Sequence, residues 1–144
     1  DATRPWQHVL EPLRGYLQLA AQLSTNILLH GEAYNFGPPA NQNHSVRELI
    51  TEMSGHWDSV RWNDISNPKV DLHEAGLLKL NCDKALFDLQ WQPILEFKET
   101  VLMTVEWYRY YYQNSSKSMY NFTISQIEEY SKLASERDFS SKTL

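Results

Sequence analysis

The sequence RPWQHVLEPL (residues 4–13) joins a strand-like segment to the start of a helix. The alternation from Trp6 to Val9 predicts a short strand, and Glu11 and Pro12 predict the first turn of a helix. Proline is tolerated at the start of a helix, where its missing N–H has no partner to lose, and a carboxylate suits the positive end of the helix dipole. Junctions of this kind are where α/β folds place ligand groups, so the stretch predicts a ligand site.

Arg4 is the strongest candidate for a ligand contact in this stretch. Its planar guanidinium matches the geometry of a phosphate through two parallel hydrogen bonds. The alternative is purely structural, with Arg4 as a surface charge and Trp6 as a core residue.

The length, composition and net charge of the chain narrow the class of protein. The chain has 144 residues, is 42% hydrophobic and carries a net charge of -5, which fits one compact domain and argues against a non-specific nucleic-acid binder. A single cysteine, Cys82, excludes an internal disulfide framework and fits a reducing compartment. The five histidines lack zinc-ligand spacing, no secretory signal opens the chain and no apolar run is long enough to cross a bilayer. We therefore expect a cytoplasmic protein with no metal site and no membrane contact.

The chain begins at Asp1 without an initiating methionine and carries no glycine-rich dinucleotide fingerprint, phosphate loop or nucleophile elbow. These features indicate a piece of a longer protein that is not catalytic by itself.

Apolar spacing and capping residues predict helices separated by short strands. The first helix runs from Leu10 towards Gly31, with one apolar face formed by Leu13, Leu17, Ala20, Ala21, Ser24, Ile27 and Leu28. The others are Ser45–Gly55, opened by a capping box with Glu48, then Lys84–Leu89, Leu95–Tyr112 and Ile124–Leu133, the last capped by Thr123. The predicted strands are Ala33–Phe36, Val60–Trp62 and Leu77–Leu80.

Such short strands are too few to form a sheet alone. The predicted fold class is therefore α/β, a helix-rich lobe that completes another domain, over residues 1–135 with a frayed tail at 136–144. An uncovered apolar patch on such a lobe would favour association, so we expect modest stability in isolation.

Several stretches together resemble the C-terminal part of the CDP-glucose 4,6-dehydratase family, within the extended short-chain dehydrogenase/reductase superfamily. They are RPWQHVLEPL (4–13), GEAYNFGP (31–38), His73-Glu74-Ala75, Lys84-Ala85, Trp91-Gln92-Pro93, TVEWY (104–108) and FTISQIEEY (122–130). The resemblance implies that this chain is the substrate-binding lobe. The Rossmann domain that holds NAD and the catalytic Tyr-x-x-x-Lys pair would precede Asp1, and no such pair occurs in these 144 residues.

By this resemblance the full-length enzyme would be a hydro-lyase that converts CDP-D-glucose to CDP-4-keto-6-deoxy-D-glucose and water. NAD would take a hydride from the sugar and return it. The product would feed dideoxyhexoses of bacterial surface polysaccharide, and the full-length enzyme would be a homo-oligomer. This chain alone would bind no cofactor.

The resemblance also implies residue roles. Arg4 would contact the diphosphate of the nucleotide-sugar, Glu74 would accept hydrogen bonds from the ribose hydroxyls, and His73 would lie beside it. Trp6, Gln7 and His8 would line the same cleft. The structural alternatives are a satisfied core histidine at position 8 and an exposed loop pair at positions 73 and 74.

The sequence departs from the family pattern at Asn81, usually Asp, and at Gln90, usually Gly, where a side chain would remove access to a left-handed turn. Two other functions stay open. One is another NAD-dependent nucleotide-sugar epimerase or dehydratase, and the other is a non-catalytic binding module derived from the lobe.

Overall fold

The computed structural model describes residues 2–65, 76–114 and 118–137. Five α-helices and a two-stranded sheet form this part of the chain. They are β1 (Thr3–Arg4), α1 (Leu10–Leu23), a 3-10 helix (Ile27–Leu29), β2 (His44–Ser45), α2 (Val46–His56), α3 (Asp83–Leu89), α4 (Phe97–Gln113) and α5 (Tyr120–Arg137). The fold is helix-rich with a short sheet, compatible with the predicted helical lobe.

The sheet and the start of α2 form one unit. β1 pairs antiparallel with β2, with Thr3 opposite Ser45 and Arg4 opposite His44. The Ser45 side chain accepts from the Glu48 backbone N–H, and the Glu48 carboxylate accepts from the Ser45 backbone N–H. This is the predicted capping box, which satisfies two backbone donors at once. Helix α2 therefore begins where the sequence predicted, because Ser45 and Glu48 cap its first turn.

The predicted strands are wrong within the described residues. Trp6–Val9, Ala33–Phe36, Val60–Trp62 and Leu77–Leu80 are not strands, and an isolated parallel bridge between Thr3 and Leu77 is what remains of the last one. A strand needs a neighbouring strand to accept its backbone hydrogen bonds, whereas a helix satisfies its own. Within the described residues, β1 and β2 are the two strands that find such a partner, in each other.

Helix α1 forms as predicted, but the face predicted to be buried lies at the surface of the described structure. Leu13 and Leu17, on the predicted apolar face, are 45% and 72% exposed. The opposite face carries Gln18 and Gln22, whose side-chain amides both donate to the carbonyl of Leu89 at the end of α3. The last carbonyls of a helix have no partner within the helix, so the glutamines satisfy a group that burial would otherwise leave unpaired.

Helix α4 forms the centre of the packing. Its buried residues Phe97, Val101 and Val105 pack against Leu49 and Met53 of α2. On another face Met103 packs with Tyr130 of α5. Phe97, Val101 and Val105 follow one another at intervals of four residues, so they form one buried face of this helix.

The predicted helices differ from the structure at three places. Helix α1 ends at Leu23, well before the predicted stop at Gly31, and the separate 3-10 helix Ile27–Leu29 follows it. Gln90 ends α3 in the left-handed conformation (φ 57°, ψ 29°), so the absence of glycine did not remove this turn. Helix α5 begins at Tyr120, three residues before Thr123, and the Thr123 hydroxyl accepts from the Trp107 indole N–H at 3.0 Å. Thr123 is therefore an interhelical contact and not a cap. Residues 138–144, in the predicted tail, lie outside the described residues.

None of the helices in the described ranges combines the length and the apolar character that crossing a bilayer requires.

Candidate functional site

Strand β1 lies between two other segments. On one side it pairs with β2, and on the other the Thr3 backbone N–H donates to the Gly76 carbonyl at 2.9 Å. The Trp6 indole N–H donates to the carbonyl of His44 at 2.9 Å, which ties the following residues to β2 as well. The stretch opening the sequence is thus fixed by backbone contacts to positions about 40 and 70 residues away.

Arg4 is half-buried on this strand. One guanidinium nitrogen donates to the Thr3 carbonyl at 2.7 Å, a local hydrogen bond. The structure thus places the predicted phosphate contact on a strand fixed on both sides.

His73 and Glu74 lie outside the described residues, so their predicted roles stay predictions. Gly76, the first described residue after them, contacts Thr3. Gly76 itself therefore lies next to β1.

His44 is not among the candidate residues that the sequence indicated. It is the register partner of Arg4, and its ring stacks on Phe97 with centroids 3.7 Å apart. Only the pairing of β1 with β2 shows this proximity, and no local pattern around position 44 indicates it.

Gln7 and His8 line a cavity of about 420 Å³ between the start of the chain and helices α4 and α5. Arg4 and Trp6 are not among its lining residues. The structure therefore separates two of the predicted cleft residues from the other two. His8 is 6% exposed, which agrees with the core-histidine alternative, and burial lowers the pKa of its imidazole, which favours the neutral form.

A second cavity, of about 540 Å³, lies beside the Gly37-Pro38-Pro39 turn and the start of α3. Asn81 and Cys82 are among its lining residues. The Asn81 side-chain oxygen accepts from the Asp83 backbone N–H at 3.0 Å, and Asn81 lies one residue before Cys82, the N-cap of α3. Burial raises the pKa of the Cys82 thiol, which keeps it protonated and a weak nucleophile.

Glu11, within RPWQHVLEPL, carries a buried carboxylate that connects three parts of the fold. Glu11 is 1% exposed, and it accepts hydrogen bonds from the backbone N–H groups of Ile94 and Leu95 at 2.8 and 2.7 Å. The Tyr130 hydroxyl donates to the other Glu11 oxygen at 2.8 Å. Burial and the neighbouring Glu11 carboxylate raise the pKa of Tyr130, so the hydroxyl stays protonated and able to donate. Glu11 thus joins α1, the segment before α4, and α5.

Among residues 2–65, 76–114 and 118–137, no group of three or more histidine, cysteine, aspartate or glutamate side chains is arranged to hold a metal ion.

No family model matches the chain. A curated relative, the CDP-glucose 4,6-dehydratase of Salmonella typhimurium, is 38% identical to it over 107 residues. The alignment covers 74% of this chain and 29% of that enzyme, so the chain spans less than a third of the relative's length. This similarity confirms the resemblance inferred from the sequence: the chain is related to a part of a CDP-glucose 4,6-dehydratase.

Proposed function

We propose that this chain is the nucleotide-sugar-binding part of an NAD-dependent CDP-D-glucose 4,6-dehydratase. The observation that carries the proposal is the similarity over 74% of the chain to an enzyme whose name gives both substrate and reaction. The reaction would remove water from CDP-D-glucose to leave CDP-4-keto-6-deoxy-D-glucose.

Arg4 would position the substrate through its diphosphate. Its place on a strand paired on both sides supports this role, because a rigid backbone holds a guanidinium fork in one orientation. A diphosphate offers oxygens to two parallel donors, and such charge-assisted hydrogen bonds are about twice as strong as neutral ones. Trp6, fixed by its hydrogen bond to His44, would form a wall of the same cleft.

The residues present do not fit NAD. Binding its pyrophosphate requires closely spaced glycines at a strand-to-helix turn, and the five glycines here, at positions 15, 31, 37, 55 and 76, are far apart. We therefore assign this chain no cofactor contact, and the hydride chemistry of the proposed reaction would belong to another part of the enzyme.

The exposed face of α1 would pack against that other part. Val9, Leu13, Tyr16 and Leu17 are 61%, 45%, 58% and 72% exposed and follow one another at helical spacing. A contiguous apolar surface of this kind is typical of an interface. The relative has most of its length outside the matched region, which supports a second domain of the same polypeptide as the occupant.

The test is an assay of the complete gene product with CDP-, UDP- and dTDP-glucose, beside residues 1–144 alone. We expect the complete protein to dehydrate CDP-glucose and the isolated chain to be inactive even with NAD. Turnover of UDP- or dTDP-glucose alone would favour another epimerase or dehydratase. CDP binding without turnover would favour the non-catalytic module, and neither binding nor turnover would contradict the proposal.

A further inference from the structure

The cavity beside His8 differs in chemistry from a nucleotide site. It has a volume of about 420 Å³, within the usual range for small-molecule pockets. Three segments form it: residues 7–10, the α4 residues Thr104, Trp107 and Tyr108, and the α5 residues Thr123, Gln126 and Ile127.

None of the ten lining residues is an acid, a lysine or an arginine. His8 is the one titratable side chain of the set near neutral pH, and burial lowers its pKa, so the wall is uncharged under ordinary conditions. A diphosphate would be stripped of water here without a cation to pair with, which is strongly unfavourable. The cavity therefore selects against nucleotides and in favour of uncharged molecules.

The aromatic side of the cavity is held in place. The Trp107 indole N–H donates to the Thr123 hydroxyl at 3.0 Å, and the Trp107 ring stacks on Tyr111 with an interplanar angle of 9°. The Tyr108 ring meets Trp107 edge-on at 5.3 Å. Rings fixed in this way offer a flat ligand stacking or edge contacts at little cost in side-chain entropy.

Gln7 supplies a polar group at the other side. Its amide nitrogen donates to the Phe36 carbonyl at 3.0 Å, which fixes the orientation of the side chain. Its amide oxygen is buried and accepts no hydrogen bond from any described residue. That oxygen has no surface open to the cavity, so the contacts available to a ligand are those of the aromatic and apolar lining.

We propose that this cavity binds a small uncharged aromatic molecule, at a site separate from the one proposed for the nucleotide-sugar. An apolar pocket with a few fixed polar groups matches such a ligand in shape and in charge. The inference rests on the lining of this cavity and not on the proposed dehydratase activity.

The experiment uses indole as the probe and the complete gene product as the protein, with binding followed by calorimetry. We expect saturable binding with a Kd on the order of 1 mM or tighter. Ile127→Trp, which fills the cavity, should raise that Kd at least about tenfold. Ile65→Trp is the matched control, because Ile65 is 90% exposed and outside the lining, and it should leave the Kd unchanged. Saturating CDP should not displace indole.

A measurement on the unsubstituted protein covers the case in which Ile127→Trp does not fold. Nuclear Overhauser contacts from indole protons should reach the methyl groups of Leu10 and Ile127 and not those of Ile65. Absence of saturable binding, equal weakening by both substitutions, or displacement by CDP would each overturn the proposal.

Discussion

The Tyr130 hydroxyl donates to the Glu11 carboxylate at 2.8 Å across 119 positions of sequence, and the carboxylate is buried. A buried carboxylate is stable only when its oxygens are hydrogen-bonded, so α5 completes the environment of a residue within RPWQHVLEPL. The placement of the candidate site thus depends on a helix near the other end of the chain.

The substitution Tyr130→Phe should lower the free energy of unfolding by about 1.5–3 kcal/mol, the usual value of a hydrogen bond to a charged group. The ring and its packing stay, and only the donor to Glu11 is lost. Tyr120→Phe is the control, since Tyr120 is 70% exposed, and should change stability little. Urea unfolding of the three proteins measures this, and equal stability of Tyr130→Phe and wild type would contradict the role given to Glu11.

An ion pair between Arg137 and Glu99 joins the end of α5 to the start of α4. This ion pair should make the stability of the protein fall in acid. Arg137 donates through two nitrogens to the two Glu99 oxygens, each at 2.7 Å, and this holds the pKa of Glu99 below its usual value. Such a carboxylate stabilises the fold above its unfolded pKa near 4.5, and the stabilisation is lost as pH falls through the lowered pKa.

Glu99→Gln should therefore flatten the loss of stability below about pH 4.5. At neutral pH it should cost no more than about 1 kcal/mol, because both side chains are about one-third exposed. Glu128→Gln, on the exposed face of α5, serves as control. If Glu99→Gln lost stability in acid as steeply as the wild type, this ion pair would be excluded as the cause of that loss.

The substitution Gln90→Gly should stabilise the protein. Gln90 is the one non-glycine residue with positive φ in the described ranges, and that conformation costs an ordinary residue roughly 1–2 kcal/mol. Glycine removes the steric cost and adds some unfolded-state entropy, so we expect a net gain of about 0.5–1 kcal/mol. Gln113→Gly, at the end of α4 where φ is not positive, should destabilise, and thermal unfolding that shows the same sign for both would contradict the account.

The apolar face of α1 should make residues 1–144 associate when they are expressed alone. Leu13→Gln with Leu17→Gln should reduce association, since it removes apolar surface that no described residue covers. Leu86→Gln, at an exposed position on α3, is the control. If light scattering changed equally in the α1 double variant and in Leu86→Gln, the α1 face would not be the surface through which the chains associate.

Features set by nearby residues could be predicted from the sequence, and features set by distant ones could not. Ser45 and Glu48 cap α2 by contacts three residues apart, so the sequence alone located that start. The Ala33–Phe36 prediction failed because a strand depends on a partner elsewhere, and Thr123 failed as a cap because Trp107 uses its hydroxyl. The separation of Gln7 from Arg4 likewise follows from packing against α4 and α5.

The central claim is that Arg4 binds the diphosphate of a CDP-sugar, and calorimetric titration of CDP into the complete gene product tests it most directly. Arg4→Lys keeps the charge but not the planar fork, so the Kd should rise roughly 10- to 100-fold, and Arg4→Ala should raise it further. Arg61→Ala, an exposed arginine with hydrogen bonds to nearby carbonyls, should leave the Kd unchanged. An unchanged Kd in a folded Arg4→Ala variant would contradict the claim and return Arg4 to a structural role.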